Sequence, residues 1–175
     1  MLPFSLSPLD IITIPPLNGS YSGKGIKVTY SSSEMQLAGV NNFSVVKLSV
    51  SLPDMQASGS LVIPTLIVIA DNYELKGKAY YVYTLKGSGK LNVTLNDVKL
   101  QFSIRLARKG KGTRVIQLQL DFAIDDIQAN LENSSWPINK LLNKEGVKIL
   151  NGYHEEIITA TRTNLLGTFN QYLAG

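Results

Sequence analysis

Residues 91–106, LNVTLNDVKLQFSIRL, begin as an alternating strand and then change parity. Leu91, Val93 and Leu95 are apolar at odd positions, whereas Val98, Leu100, Phe102, Ile104 and Leu106 are apolar at even ones. Side chains in a strand repeat every second residue, so without a correction one of these sets would face the wrong side of its sheet. The return stretch RVIQLQLDFAIDDIQANL repeats the event: Ile116, Leu118, Leu120, Phe122 and Ile124 give way to Ile127, Ala129 and Leu131 across Asp125–Asp126. Folded about the glycine tip near Gly110, the slips at Asn96–Asp97 and Asp125–Asp126 fall at about the same height. An extra residue in each strand, a β-bulge, would keep the apolar set on the core side while bending and twisting the backbone. The spacing therefore predicts a long hairpin in a sheet that coils sharply and encloses something.

The rest of the pattern extends that sheet. LSPLDIITIPPLNGS is an extended lead-in in which Pro8, Pro15 and Pro16 forbid a regular helix. Ile26, Val28 and Tyr30 alternate, as do Met35 and Leu37, and Asn41–Asn42 marks a turn. Val46, Leu48, Val50 and Leu52 then read as a half-buried strand. Met55 to Leu75 is extended, interrupted by Gly59 and Pro64, which points to an edge or a bulge. In GKAYYVYTLKGSGK, Ala79, Tyr81, Tyr83 and Leu85 share one face, and KGSGK at 86–90 reads as a tight turn. Strand after strand with short turns is an antiparallel meander.

From Trp136 the apolar spacing becomes three and four, through Ile138, Leu141, Leu142, Ile149, Leu150, Tyr153, Ile157, Leu165, Leu166, Phe169, Tyr172 and Leu173. Pro137 suits the first turn of a helix, and a break is expected near Gly146 or Gly152. The expected architecture is α+β: a long C-terminal helix laid against one strongly curved antiparallel sheet. A chain of 175 residues suits one domain over 1–175, with an extended lead-in at 1–20, the curved sheet at 21–132 and the helix at 136–173.

Composition narrows the function classes. Hydrophobic residues make up 44% and charged ones 17%, which excludes a disordered tail or a coiled coil. The net charge is +4, but the one concentrated basic run, Arg108, Lys109 and Lys111 before Arg114, lacks interleaved aromatics. It reads as a solvated hairpin tip rather than a nucleic-acid surface, with contact to an anionic membrane as the alternative. The absence of cysteine excludes internal disulfides and thiolate metal sites. Asn18, Asn42, Asn92 and Asn133 each begin an N-x-S/T triplet, which becomes a glycosylation site only on secretion. MLPFSLSPLD has no signal-peptide pattern, and the longest apolar run, LIVIA at 66–70, is too short to span a bilayer.

Catalytic and metal motifs fail on spacing. In KGSGK, Lys90 is followed by a strand rather than by Ser or Thr opening a helix, so it is not a nucleotide phosphate loop. Asp125 and Asp126 are adjacent in a strand and point to opposite faces, so they do not serve one substrate together. His154, the only histidine, lacks a second imidazole at i+4 and reads as an exposed helix residue. No enzyme, metal or cofactor is expected.

SPLDIITIPPL, then GVNNFSVVKLSVSLP, then ELKGKAYYVYTLKGSGKLNVTLNDVKL, then a helix after NSSWPINKLLN, is an order that resembles the insect takeout and haemolymph juvenile-hormone-binding protein family. That family lies within the tubular lipid-binding superfamily, and residues 74–100 carry the most specific part of the likeness. The resemblance implies a long helix wrapped by a coiled sheet around an apolar tunnel for a lipid-like molecule, and it implies secretion. Family members usually begin with a leader and a helical segment pinned by a cysteine pair. This chain starts where that segment would end, so a fragment or an N-terminally truncated member is expected.

The resulting expectation is a non-enzymatic, monomeric carrier of a small hydrophobic ligand, a juvenile-hormone-like terpenoid or another lipid. Candidate inward residues are Leu48 and Val50, Tyr81 and Tyr83, Leu91 and Val93, Phe102 and Ile104, and Leu118, Leu120 and Phe122. Leu150, Tyr153 and Ile157 join them from the helix, and Tyr81 and Tyr83 are the first choices to hydrogen-bond a ligand ester, epoxide or carbonyl. An anionic-membrane or lipopolysaccharide surface binder and a ligand-free interaction protein remain as alternatives.

Overall fold

The structure is a computed structural model that describes residues 11–23, 25–110 and 112–173. Pro8 and MLPFSLSPLD, Lys111 and the side chain of Lys109 therefore lie outside the described residues, as do the side chains of Tyr172 and the last two positions. Its strands are β1 (Ile11–Ile14), β2 (Leu17–Gly23), β3 (Ile26–Ser32), β4 (Met35–Ala38), β5 (Ser44–Ser51), β6 (Gln56–Ala79), β7 (Tyr83–Lys109), β8 (Gly112–Ala123) and β9 (Asp126–Leu131). A 3-10 turn, Val40–Asn42, occupies the turn expected at Asn41–Asn42.

The pairing is the expected meander. β1 and β2 run along β4 and β3; β3, β4 and β5 run along β6; β6 pairs with β7; and β7 pairs with β9 and β8, all antiparallel. β6 and β7, of 24 and 27 residues, form the spine. The sheet is open: β1, β2 and β5 on one side do not pair with β8 or β9 on the other.

The parity slips lie level with each other, but they are not bulges. Thr65 pairs with Asn96 and Ile63 with Val98, so β6 and β7 resume in the same register on both sides of Pro64 and Asp97. Asn96 pairs with Asp126 and Lys99 with Ala123, again in unbroken register. A bulge is an extra residue that the neighbouring strand lacks. Here three neighbours flip together, so the sheet creases across its width. Asp97, at φ 51°, takes a left-handed conformation at this crease. Polar groups line it: Thr65 Oγ1 donates to Asn96 Oδ1 at 3.5 Å, Asn96 Nδ2 to Asp126 Oδ2 at 3.1 Å, and the Asp125 N–H to the Asn96 carbonyl at 3.3 Å. Asp125, half-exposed and held by Lys99 Nζ at 2.8 Å, is thus a crease residue rather than part of a bulge.

A second crease crosses Pro15–Pro16, Ser33–Glu34 and Asp71–Asn72, with Ile14 on Met35 and Leu17 on Ser32, then Met35 on Ala70 and Ser32 on Tyr73. At β7 it ends as a true bulge, where Asp71 and Asn72 face Lys90 alone. The Lys90 N–H finds Glu132 Oε2 at 2.8 Å instead. Two further bulges carry Val46 and Ile116 as extra residues, both exposed. These two had read as members of unbroken alternations, and their partner strands take them out of the apolar face.

KGSGK is not a turn but the middle of a strand. Gly87 and Gly89 pair with Leu75 and Tyr73, and the absent side chain at Gly87 gives room to the Tyr73 ring. The turn falls earlier, at Tyr80–Val82, between Ala79 and its partner Tyr83.

The helical segment is two helices, α1 (Pro137–Gly152) and α2 (His154–Leu173), broken at the second expected glycine. Gly146 stays helical and is buried: a Cβ there would sit 3.3 Å from Ile127 Cδ1, so glycine lets α1 approach β9 closely. α1 packs on β9 and α2 on β8. Asparagines on the helices cap the last edge of the sheet. The Leu131 N–H donates to Asn139 Oδ1 at 2.9 Å, the Ala129 N–H to Asn143 Oδ1 at 2.5 Å and the Val115 N–H to Asn170 Oδ1 at 2.8 Å. Two buried clusters form under α1: Tyr73, Ala79, Leu85, Ala129, Leu131 and Ile138; and Ile63, Leu66, Val98, Ile124 and Ile127.

Candidate ligand-binding face

Beyond the first crease, toward the β7–β8 turn, register builds apolar rows across four strands. Leu48, Gly59, Phe102 and Leu120 form one row, and Val50, Ala57, Ile104 and Leu118 the next. Leu61, Leu100 and Phe122 lie in the row beside the crease. The Phe102 ring extends over Gly59, where a Cβ would meet Phe102 Cε1 at 3.0 Å.

Cover over these rows is uneven. α2 seals the β8 side, where Leu118 and Val115 are buried together with Ile158 of the helix. On the β5 side Leu48 and Val50 are each 60% exposed. The result is an open apolar trough with α2 as one wall and β5 as the other rim. The alternate residues of the same strands, Ser58, Ser60, Gln101, Ser103 and Gln119, are polar; they line an open depression of about 450 Å³ that Lys47, Asp121, Gly59, Phe102 and Leu120 also border. The rows of Leu48, Phe102 and Leu120 and of Val50, Ile104 and Leu118 give the first face the more apolar surface of the two.

At the head of α2 the His154 ring stacks on Phe122, 4.8 Å between centroids, and Nε2 lies 2.8 Å from Asp121 Oδ1. The hydrogen bond to Asp121 pushes the imidazole above its ordinary 6.5; desolvation opposes the shift, and Glu155 adds to it. His154 is thus a seated residue rather than the free, exposed one expected from sequence.

Next to it, Tyr153 occupies the helix break and meets Tyr21 edge-on, at 6.1 Å and 63°. Burial pushes the Tyr153 phenol upward, helped by Tyr21, Tyr30 and Glu156. Tyr21 and Tyr30 were missed as site residues in the sequence. A Cβ at Gly19 would meet the Tyr30 hydroxyl at 2.6 Å, and one at Gly23 the Tyr21 hydroxyl at 2.9 Å. A strand whose glycines alternate with a tyrosine, as in Gly19, Tyr21 and Gly23, was the signal that could have found them.

Of the residues predicted to line a site, Leu48, Val50, Phe102, Ile104, Leu118, Leu120 and Phe122 come together in the trough rows. Ile157, half-buried, belongs to α2, the helix over β8. Leu91, Val93 and Leu150 instead pack against the two buried clusters. Tyr83 stands opposite Ala79 at the far end of the hairpin, and Tyr81, 92% exposed in the turn, is not inward-facing at all. The turn lifts Tyr81 out of the alternation that placed it beside Ala79. Asn18, Asn42, Asn92 and Asn133 are all exposed, and Asn133 Nδ2 donates to the Ser88 carbonyl at 3.2 Å. Among the described residues no group of three or more His, Cys, Asp or Glu side chains could hold a metal ion.

An open antiparallel meander with paired C-terminal helices narrows the choice of relatives, and the sequence profile of the family "haemolymph juvenile hormone binding protein (JHBP)" matches residues 3–175. The chain belongs to that family. Membership makes this a hydrophobic-ligand-binding protein. The fold matches the crystal structure of takeout 1 from Epiphyas postvittana with a TM-score of 0.68 and 13% identity, over 92% of this chain and 78% of that one. A lipopolysaccharide binding protein also aligns, with a TM-score of 0.45 and 17% identity, over 90% of this chain and 35% of that one. No curated protein matches the sequence.

Proposed function

We propose that the chain carries one elongated hydrophobic molecule, a terpenoid ester of the juvenile-hormone type or a lipid of similar length, in the trough between β5 and α2, and does so outside the cell. The observation that carries this reading is the exposure of Leu48 and Val50, 60% each, in register with Phe102, Ile104 and Leu120 on a face otherwise turned to the core. Exposed apolar side chains in continuous rows mark a surface that gains free energy when covered, roughly 25 cal/mol for each Å² removed from water. The ligand would complete the cover that α2 begins, and a closed tunnel would form only as the ligand bridges the rim of β5 to the helix. Family membership supports the ligand class and, the family being one of haemolymph proteins, the compartment.

The Tyr21, Tyr30 and Tyr153 phenols, close to the head of α2, are better placed than Tyr81 to meet a polar end group. The Ser32 hydroxyl is buried without a partner two residues from Tyr30. A ligand ester or epoxide needs such donors and little else.

The test is uptake of the fluorescent probe N-phenyl-1-naphthylamine and its displacement by a sesquiterpenoid methyl ester. Expected is saturable probe binding, weakened about tenfold by Phe102→Ala plus Leu48→Ser and unchanged by Ser103→Ala on the polar face. A native protein that takes up no probe, or a Ser103→Ala protein weakened as much as the trough variant, overturns the reading.

A further inference from the structure

Four lysines near the β6–β7 turn stand directly opposite one another on the outer face of the sheet: Lys27 opposite Lys78, and Lys76 opposite Lys86. Like charges in directly opposed cross-strand positions repel and destabilise a sheet. Only Lys76 among them has a carboxylate partner within the described residues, Glu74 at 2.5 Å. Adding Lys90 and Lys140 gives six lysines against Glu74, Glu132 and Asp71, which faces Lys90 at the bulge, a local balance of +3. Lys76 and Lys86 flank an open depression of about 320 Å³, lined also by Ser88 and Asn133 with Glu74 on its rim.

The same end carries an aromatic apex. Tyr80, Tyr81, Val82 and Tyr83 are all exposed, and Trp136 is 77% exposed with Lys140 Nζ 5.4 Å from its ring. Trp136 belongs to this end because its neighbour Ser135 is tied to Lys86: the Ser135 N–H donates to the Lys86 carbonyl at 2.7 Å, and the Lys86 N–H to Ser135 Oγ at 3.2 Å. Tyr80 and Tyr81 hold φ of 50° and 60°, a region that bulky residues rarely adopt and that Asn or Gly would fill without strain. The apex keeps two tyrosines pointing outward at a cost to the fold, a pattern that points toward use.

We propose that this end of the molecule docks on the surface of an anionic phospholipid bilayer. The sequence of chemistry along the hairpin matches the depth profile of a membrane interface. An apolar and phenolic apex suits the zone where Tyr and Trp rings settle, and a collar of lysines, beginning roughly 10 Å back from Tyr81 at strand rise, meets the lipid phosphates. Contact is peripheral, since no described helix is long and apolar enough to cross a membrane. This docking surface is separate from the trough and stands whether or not the trough binds a carried ligand.

The single tryptophan makes the test direct. The full chain is mixed with vesicles of phosphatidylcholine alone, or of phosphatidylcholine and phosphatidylserine in equal parts. Expected are co-sedimentation with the anionic vesicles only, loss of that binding in high salt, and a blue shift of Trp136 emission with protection from acrylamide. Lys76→Gln with Lys86→Gln should weaken partitioning about 25-fold, at about fivefold per lysine. The same pair of changes removes an opposed cation pair along with the exposed Lys76–Glu74 ion pair, so Tm should stay nearly unchanged and lost binding is not lost folding. Arg108→Gln with Arg114→Gln, at the opposite tip, should leave binding unchanged. The proposal is overturned by a protein that binds neither vesicle, by equal binding to both, or by equal weakening from the Arg108/Arg114 pair. Self-association through the apex in sedimentation, or preference for a nucleic acid over the anionic vesicles, overturns it as well.

Discussion

The Ala129 N–H donates to Asn143 Oδ1 at 2.5 Å, so a helix side chain closes the exposed edge of the last strand. Edge strands present unpaired backbone groups that invite other strands, and proteins commonly cover them. Asn139 does the same for Leu131, and Asn170 for Val115, so the helices act on the sheet as an edge cap as well as a wall. Ala129 is buried, and Asn143→Ala leaves its N–H without a partner. The expected loss is about 1–3 kcal/mol in urea denaturation, with the Ala129 amide exchanging hydrogen much faster than before. A loss within experimental error would mean that water replaces the asparagine freely.

His154 ties the start of α2 to β8 and gives the trough wall a pH dependence. Its folded pKa is raised above 6.5, first by the hydrogen bond to Asp121 and then by Glu155, against desolvation. A raised imidazole pKa means that the protonated ring favours the folded state. The contribution is therefore fully present below 6.5, fades as pH rises through the folded value, and is absent above it. Thermal melts between about pH 5 and about pH 9 should show Asp121→Asn differing most from the native chain at the acid end, with the two curves converging at the basic end. A gap that stays constant with pH would assign Asp121 a role independent of its charge. High salt should narrow the acid-side gap, because both partners are partly solvated.

The crease makes a separate demand at Asp97, held at φ 51°. Aspartate and asparagine tolerate this region better than other side chains, glycine is at ease in it, and a β-branched residue is not. Asp97→Val is expected to lose about 1–3 kcal/mol, while Asp97→Asn and Asp97→Gly stay within about 1 kcal/mol of the native chain. If Val is tolerated as well as Asn, the left-handed turn at the crease is dispensable. Denaturant melts of the three variants decide between these outcomes.

Much of this was legible in residues 91–131, and the limit of legibility lies in what a single strand reveals about its partners. The apolar set of β7 changes parity at Asn96–Asp97 whichever device is responsible, so the existence and the height of the slip could be read. Whether the neighbour slips too is a property of β6, where Pro64 looked like a local interruption and is in fact the same crease. The converse error is instructive. Val46 and Ile116 continue their strands' alternation, yet each is surplus to the partner strand and turns outward. The trough rows were legible because Leu48, Val50, Phe102, Ile104 and Leu120 lie on strands whose faces keep their period over several residues. The tyrosines of the site were not: Tyr81 obeys the alternation but sits in the turn, while Tyr21 and Tyr30 gain their place from glycines beside them and from Tyr153 across the gap.

The turn itself offers the clearest separation of stability from use. Tyr80 and Tyr81 occupy left-handed positions at φ 50° and 60°, and the Tyr80 ring lies against Gly25, where a Cβ would meet Tyr80 Cδ1 at 2.8 Å. The Tyr80 N–H donates to the Gly25 carbonyl at 2.6 Å, so the neighbouring turn supports the strained backbone. Replacing the pair by Tyr80→Asn with Tyr81→Gly relieves the left-handed penalty at both positions and keeps that N–H. The fold should gain about 1–3 kcal/mol in a denaturant melt, less whatever packing the Tyr80 ring gives Gly25. The same protein should partition more weakly onto anionic vesicles, because the apex has lost both phenol rings. A variant that is more stable and still binds vesicles as the native chain does would place the docking energy in the lysines alone. A less stable variant would mean that the Tyr80 ring's packing on Gly25 outweighs the strain.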